Sequence, residues 1–313
     1  MANYLITGGA GFIGSNIAEY LADHGESVRI VDNLSTGRIA NIAAFVDRID
    51  FIEGDITDPD ACSRAVDGMD YVLHQAAIPS VPRSVADPIA SHHANVTGTL
   101  NLLIAARGAK VKRLVYAGSS SAYGDQPGDF KTENQCPRPM SPYGAAKLAG
   151  EHYMAAFTAC YGLETVCLRY FNVFGPRQDP DSPYSAVIPL FISAVLNGRP
   201  PTVYGDGRQS RDFTYVENTV RANILAATGG FHAKGQAYNI ACGESHTILD
   251  VLRGVNAALG AAVEPEFAPP RVGDIRDSKA DISRARADLG YTVTVPFIEG
   301  LSRTAAWYAR TGA

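Results

Sequence analysis

Residues 4–25 read YLITGGAGFIGSNIAEYLADHG, and this stretch decides the fold. YLIT is a short apolar run, glycines follow at Gly8, Gly11 and Gly14, and SNIAEYLADHG repeats its apolar residues at helical spacing. Between a strand and a helix, glycines let the backbone turn tightly and approach a pyrophosphate, which exposed amides and the helix dipole then hold. A second β-branched run, SVRIVD, ends at Asp32, 18 residues beyond Gly14. A carboxylate there accepts hydrogen bonds from ribose hydroxyls and repels a 2′-phosphate, so the reading expects NAD rather than NADP. Taken alone, the glycines are equally those of a tight structural turn.

The rhythm continues to residue 170, where IDFIEGD, DYVLHQAA, RLVYAGS and ETVCLRYFN alternate with amphipathic stretches. That alternation predicts an α/β fold, a Rossmann-type doubly wound parallel sheet with right-handed crossovers and ligands at the carboxyl ends of its strands. After FNVFGPRQDPDSP, residues 171–183, the pattern loosens into proline-rich connections and isolated strands such as PTVYGD. The expected division is an NAD-binding domain over residues 1–174, to which the chain returns in places, and a smaller α/β substrate lobe over 175–313.

The 313 residues are 46% hydrophobic and 19% charged, enough for a substantial core in one large domain or a domain with an appended lobe. A net charge of -5 gives no broad basic field for nucleic acid or an anionic membrane. MANYLITGG carries no leader, and AVIPLFISAVL is too short to span a bilayer. The cysteines (62, 136, 160, 167, 242) are odd in number and form no C-x-x-C pair. No disulfide framework or metal site is expected, and a reducing, cytoplasmic setting is.

The stretch SPYGAAKLAGE, residues 141–151, has the form of a helix start, with Ser141 as N-cap and Pro142 in the first turn; Gly162 stands where a C-terminal cap belongs. The helix would run about 20 residues, roughly 30 Å. Tyr143 and Lys147 then share a face, as a catalytic couple or as plain neighbours. A phenol ionises near pH 10, but an adjacent ammonium and an oxidised nicotinamide favour the phenolate, a base usable near neutrality. The serines of AGSSSAYGD could bond the same substrate oxygen, or simply form a turn. Asp55 either meets an adenine edge or caps a helix. Gln75, Ala76 and Ala77 either let a cofactor lie close or pack against neighbours.

With these motifs, and with VDNLSTG, GDITD, NVTGTLNLL, LRYFNVFGPRQ, SRDFTYV and RVGDIRDSKADISRA, the chain resembles the extended short-chain dehydrogenase/reductase family. Within it the chain resembles the nucleotide-sugar 4-epimerases that act on UDP-galactose and UDP-N-acetylhexosamines. The resemblance implies that Tyr143 is the base, that Lys147 tunes it and binds the nicotinamide ribose, and that Ser119 supplies a third hydroxyl. It implies NAD contacts from Gly8, Gly11, Phe12, Ile13, Gly14, Asp32, Asn33, Gly37, Asp55, Ile56, Gln75, Ala76, Ala77, Asn95, Tyr143, Lys147 and Tyr170. For the UDP-sugar it implies Ser120, Ser121, Asn172, Val187, Tyr204, Arg211, Arg271, Asp274 and Ser278. Either arginine could instead form a surface ion pair, and Tyr204 could serve only as core. A homodimer through helices around residues 88–107 and 142–161 is implied as well.

Related dehydratases and decarboxylases carry acidic residues just after the catalytic Ser/Thr; here Ser120 and Ser121 stand there. The reading is therefore a UDP-hexose 4-epimerase working through a transient 4-keto sugar, with NAD retained throughout. Pro79 in HQAAIPSVPRS resembles the N-acetylhexosamine enzymes, and the small Ser278 leaves room for an N-acetyl group. Arg83 or Arg276 could meet a C6 carboxylate, which keeps UDP-glucuronate 4-epimerase as the alternative; a solvated surface role is open for each. Further alternatives are a 4-keto-sugar reductase, which would exchange its cofactor each cycle, and a non-catalytic NAD-binding protein.

Overall fold

Six apolar runs form strands where the alternation places them: β1 (Asn3–Thr7), β2 (Ser27–Asp32), β3 (Asp50–Glu53), β4 (Tyr71–His74), β5 (Arg113–Ser119) and β6 (Glu164–Tyr170). The computed structural model describes residues 1–180, 186–231, 234–270 and 276–312. Shorter strands follow: β7 (Val173–Phe174), β8 (Thr202–Tyr204), β9 (Ser210–Arg211), β10 (Thr214–Tyr215), β11 (Gln236–Ile240), β12 (His246–Thr247), β13 (Glu266–Ala268) and β14 (Asp277–Ser278). The main sheet has the order β11-β6-β5-β4-β1-β2-β3 and is parallel at every pairing. It is the Rossmann-type doubly wound sheet the sequence predicts, with the order reversing at β1 and β4.

Helices cover both faces, as a parallel sheet requires. They are α1 (Phe12–Asp23), α2 (Pro59–Val66), α3 (Val81–Ala86), α4 (Pro88–His92), α5 (Gly98–Gly108), α6 (Pro142–Tyr161), α7 (Val187–Leu196), α8 (Val216–Thr228), α9 (Ile248–Leu259), α10 (Ser283–Leu289) and α11 (Phe297–Thr311). On one face Ile17 and Leu21 of α1 and Ala222 and Ala226 of α8 pack on Ile6, Ile30 and Val166. On the other, Leu102 and Leu103 of α5 and Met154 and Phe157 of α6 pack on Leu5, Val72 and Leu114. A third core gathers Phe174, Phe191, Phe213, Val251, Phe297 and Leu301. Phe174 meets Phe297 edge-on at 5.7 Å and Phe213 stacks on it at 5.5 Å, geometries that suit the aromatic quadrupoles.

This third core belongs to the later half of the chain, yet β11 joins the main sheet and α8 packs beneath it. Helix α6 runs over Pro142–Tyr161 as its caps predict: the Ser141 hydroxyl accepts the Gly144 amide at 3.1 Å, and Gly162 closes the helix at φ 73°. Among the described residues no helix is long and apolar enough to cross a membrane.

Candidate active site

The three glycines after β1 perform three different tasks. Gly8 has φ +66°, and a Cβ there would lie 2.7 Å from the Ala76 backbone. A Cβ at Gly14 would lie 2.2 Å from the Gly8 carbonyl oxygen, so this glycine lets α1 pack against the turn. Gly11 meets only that same oxygen, at 3.1 Å, and is the N-cap of α1 with no side chain bonding the first amides. Close backbone approach and open amides at one helix start suit a pyrophosphate. Phe12 turns into the third core, whereas Ile13 packs against the first.

At the end of β2 the buried Asp32 carboxylate accepts the Ala10 amide at 3.0 Å and the Leu34 amide at 2.8 Å. Burial raises its pKa, and those two amides pull it back. A Cβ at Gly37 would lie 2.7 Å from the same carboxylate. Asn33 donates to Asp55 at 2.7 Å, and Asp55 also accepts the Thr57 amide. The cap of α2 is Asp58, so the capping alternative for Asp55 is corrected. Ile56 is buried against Gly98.

Beyond β4, Gln75 donates to Asn223 at 3.1 Å, and the Tyr170 hydroxyl lies 3.2 Å from Gln75 and 3.1 Å from Asn223. The Ala76 amide donates to the Thr7 hydroxyl, which meets His74 Nδ1 at 2.7 Å; His74 Nε2 meets the Thr99 hydroxyl at 2.9 Å. Thr99 donates onward to the Asn95 carbonyl, so it accepts from His74. That fixes the neutral Nε2–H tautomer and leaves Nδ1 to accept from Thr7. Asn95 lies in a π-helical turn, His93–Thr97, and its side chain accepts the Ile78 amide at 2.8 Å. Ala77 and Pro79 flank that residue on a stretch that is partly exposed.

Ser119 ends β5, in register with Tyr170 on β6. Of the three serines it is Ser119 whose hydroxyl faces the Tyr143 phenol; it also accepts the Ser121 amide at 3.1 Å, while Ser120 opens the following 3-10 turn. Burial raises the Tyr143 pKa and Ser119 pulls it down. The Tyr143 amide donates to buried Ser84 in α3, at 3.0 Å. Lys147 is buried, and its Nζ donates to the Ala117 carbonyl at 2.9 Å, 5.0 Å from the centre of the Tyr116 ring. The expectation of an ammonium against the phenol is thus modified: a buried ammonium takes an acceptor, and the β5 carbonyl is the one it finds.

A cavity of about 240 Å³ opens beyond β6. It brings together Asn172, Val187, Tyr204 and Arg211, and adds Gln209 and Phe213. Ser278 pairs with Arg211 across β14 and β9. Arg271 and Asp274 lie outside the described residues. Arg276 makes an exposed ion pair with Asp206 at 3.5 Å, the surface role left open for it. Arg83 lies on α3, beside Ser84. Nothing local in the sequence marks Ser84, His74, Thr99 or Asn223, whose roles come from partners 25 to 148 positions away. The signal for Asp212 is its place next to Arg211 inside SRDFTYV; that it is fully buried only the structure shows.

Residues 4–241 match the NAD dependent epimerase/dehydratase family. The chain is 38% identical over 308 residues to the UDP-glucose 4-epimerase of Mycolicibacterium smegmatis, an alignment covering 97% of each. It is similar in structure to a UDP-N-acetylglucosamine 4-epimerase from Methanobrevibacter ruminantium in complex with UDP-N-acetylmuramic acid. There the TM-score is 0.94 and the identity 40%, over 99% of this chain and 98% of that one. It is also similar to the UDP-glucose 4-epimerase of Thermus thermophilus in complex with NAD, with TM-score 0.90 and 39% identity, over 99% of this chain and 100% of that one.

Proposed function

The chain belongs to the NAD dependent epimerase/dehydratase family, and on that footing we propose that it interconverts UDP-hexoses at C4, the UDP-glucose/UDP-galactose pair and the N-acetylated pair. The carrying observation is the meeting of Ser119 and Tyr143 at the end of β5, with Lys147 one turn along α6 and serine, not an acid, at 120 and 121. Bound NAD would supply a reversible hydride acceptor for the C4 hydrogen. Gly8, Gly11, Phe12, Ile13 and Gly14 would take its pyrophosphate side, and Asp32, Asn33 and Gly37 its adenosine ribose. Asp55, Ile56, Gln75, Ala76, Ala77, Asn95 and Tyr170 would line the remainder.

The chain's own chemistry is proton transfer at the C4 oxygen. Tyr143, as phenolate, removes the hydroxyl proton and returns it once the transient 4-keto sugar has turned over. Ser119 bonds the same oxygen and eases ionisation of the phenol. Lys147, mostly ammonium at neutral pH, contributes positive charge, which stabilises a phenolate. With no second acid at 120 or 121, nothing drives elimination or decarboxylation. Asn172, Arg211 and Arg271 suit the diphosphate, guanidinium forks being matched to phosphate oxygens. Val187 and Tyr204 suit the base, Asp274 the ribose, and Ser120, Ser121 and Ser278 the sugar.

The N-acetylated substrates draw support from Ser278, whose short side chain stands beside Arg211. A homodimer through α4, α5 and α6 draws support from Ile89, Ile104 and Tyr161, exposed at 81%, 48% and 54%, and from Arg107 stacked on Tyr161 at 4.5 Å. The five unpaired cysteines suit the reducing cytoplasm. One observation favours UDP-glucuronate as a second reading: Arg83 is next to the serine that holds the Tyr143 amide. Parallel incubation with UDP-glucose, UDP-N-acetylglucosamine and UDP-glucuronate, with products separated by chromatography, tests both. The first reading expects epimers from the first two sugars; turnover of the glucuronate alone would replace it with the second.

A further inference from the structure

Asp212 lies between β9 and β10, fully buried, and ties its own segment to three others that are distant in sequence. Its carbonyl accepts Asn172 Nδ2 at 2.9 Å, and its amide donates to the Ser278 carbonyl at 2.8 Å. Its carboxylate accepts three backbone amides: Cys242 on Oδ1 at 2.9 Å, and Gly243 at 3.0 Å and Ala280 at 3.2 Å on Oδ2. Cys242 and Gly243 closely follow β11 of the main sheet, and Ala280 closely follows β14. Asn172 in turn has a left-handed backbone, φ 35°, a conformation asparagine adopts more readily than most side-chain-bearing residues.

We infer that Asp212 is a positioning residue for the nucleotide-sugar cavity, setting Asn172, Arg211 and Ser278 in mutual register and anchoring them to the end of β11. This rests on the function proposed above. A carboxylate is suited to the task because both of its oxygens are acceptors; an asparagine in the same place must turn its NH₂ toward at least one of the three amides. Burial outweighs the pull of the three amides and raises the carboxyl to about 7, so the group is ionisable near neutrality. None of its hydrogen bonds reaches Tyr143, Ser119 or Lys147. Its loss should therefore fall on binding of the nucleotide rather than on proton transfer.

The test compares wild-type holoenzyme with Asp212→Asn, measuring the affinity for UDP by calorimetry, KM and kcat for UDP-glucose, and retained NAD. Leaving one buried amide unpaired should weaken UDP binding and raise KM by about tenfold or more. The kcat should fall by less than KM rises, and NAD content should stay unchanged. Equal UDP affinity in both proteins, or a loss confined to kcat, overturns the inference. Wild-type protein that binds no UDP overturns the functional reading as well, so the two failures are distinguishable. Should the variant not fold, deuterium exchange on the wild type decides: UDP should slow exchange in residues 209–214, 241–243 and 278–281 together. Protection confined to 209–214 contradicts the linkage.

Discussion

Lys147 Nζ donates to the carbonyl oxygen of Ala117 at 2.9 Å, so the amine of α6 is fastened to the end of β5 just before Ser119. This bond links the helix that carries Tyr143 to the strand that ends at Ser119. Burial lowers the Lys147 pKa from 10.5 to about 8. At neutral pH the group is still mostly ammonium, the form that stabilises a phenolate.

Lys147→Met should lower kcat by roughly 10²-fold or more, the scale of a lost contribution to acid–base catalysis. It should also change how stability depends on pH. Between about 8 and 10.5 the unfolded chain holds a proton that the folded amine has shed. The Lys147 contribution to stability therefore rises with pH through that window, its penalty being full below it, while the buried cysteines and tyrosines that titrate there are common to both proteins and cancel in the difference. Urea unfolding at pH 7.5 and 9.3 checks this: the stability of the methionine variant relative to wild type should be lower at the higher pH.

Gly8→Ala should cost NAD retention. Alanine at φ +66° is strained, and its Cβ would meet the Ala76 backbone at 2.7 Å, moving the turn that faces the cofactor. Protein purified from this variant should carry markedly less nicotinamide than wild type, read from its absorbance after denaturation.

His74 is held neutral by burial, which lowers its pKa from 6.5 to about 3, with Lys147 adding a smaller push in the same direction. Between these values the unfolded chain binds a proton that the folded one refuses, so stability is lost as pH falls below 6.5. His74→Asn keeps a donor and an acceptor and should flatten this loss by up to about 1.4 kcal/mol per pH unit. Asp212 titrates with the opposite sign, its pKa raised to about 7, but its contribution is common to both proteins and cancels in the difference. Denaturant unfolding from pH 7 to 5 measures it.

Much of this architecture is legible in the sequence because its signals are local. Strands buried on both faces read as β-branched runs, and α6 carries its limits in Ser141, Pro142 and Gly162. The glycine turn likewise lies directly between β1 and the start of α1. What the sequence hides is set by distant pairing: Thr7 with His74, Tyr170 with Asn223, Asp212 with Cys242 and Ala280. The returns of α8 and β11 to the main sheet are hidden for a related reason. Their apolar faces have the same period whichever core they join.

Ser278→Tyr should suppress turnover of UDP-N-acetylglucosamine while sparing UDP-glucose, since the added ring would fill space beside Arg211. Side-by-side kcat/KM values for the two sugars provide the check, and equal losses on both would remove Ser278 from the specificity of the site.

The most direct test of the account is UDP-galactose formation from UDP-glucose by extensively dialysed protein with no NAD added, wild type beside Tyr143→Phe. Wild type should turn over on its retained cofactor, and the phenylalanine variant should fall by orders of magnitude while still binding UDP. Turnover that persists without the Tyr143 hydroxyl, or that appears only with stoichiometric added cofactor, would contradict a phenol-based epimerase.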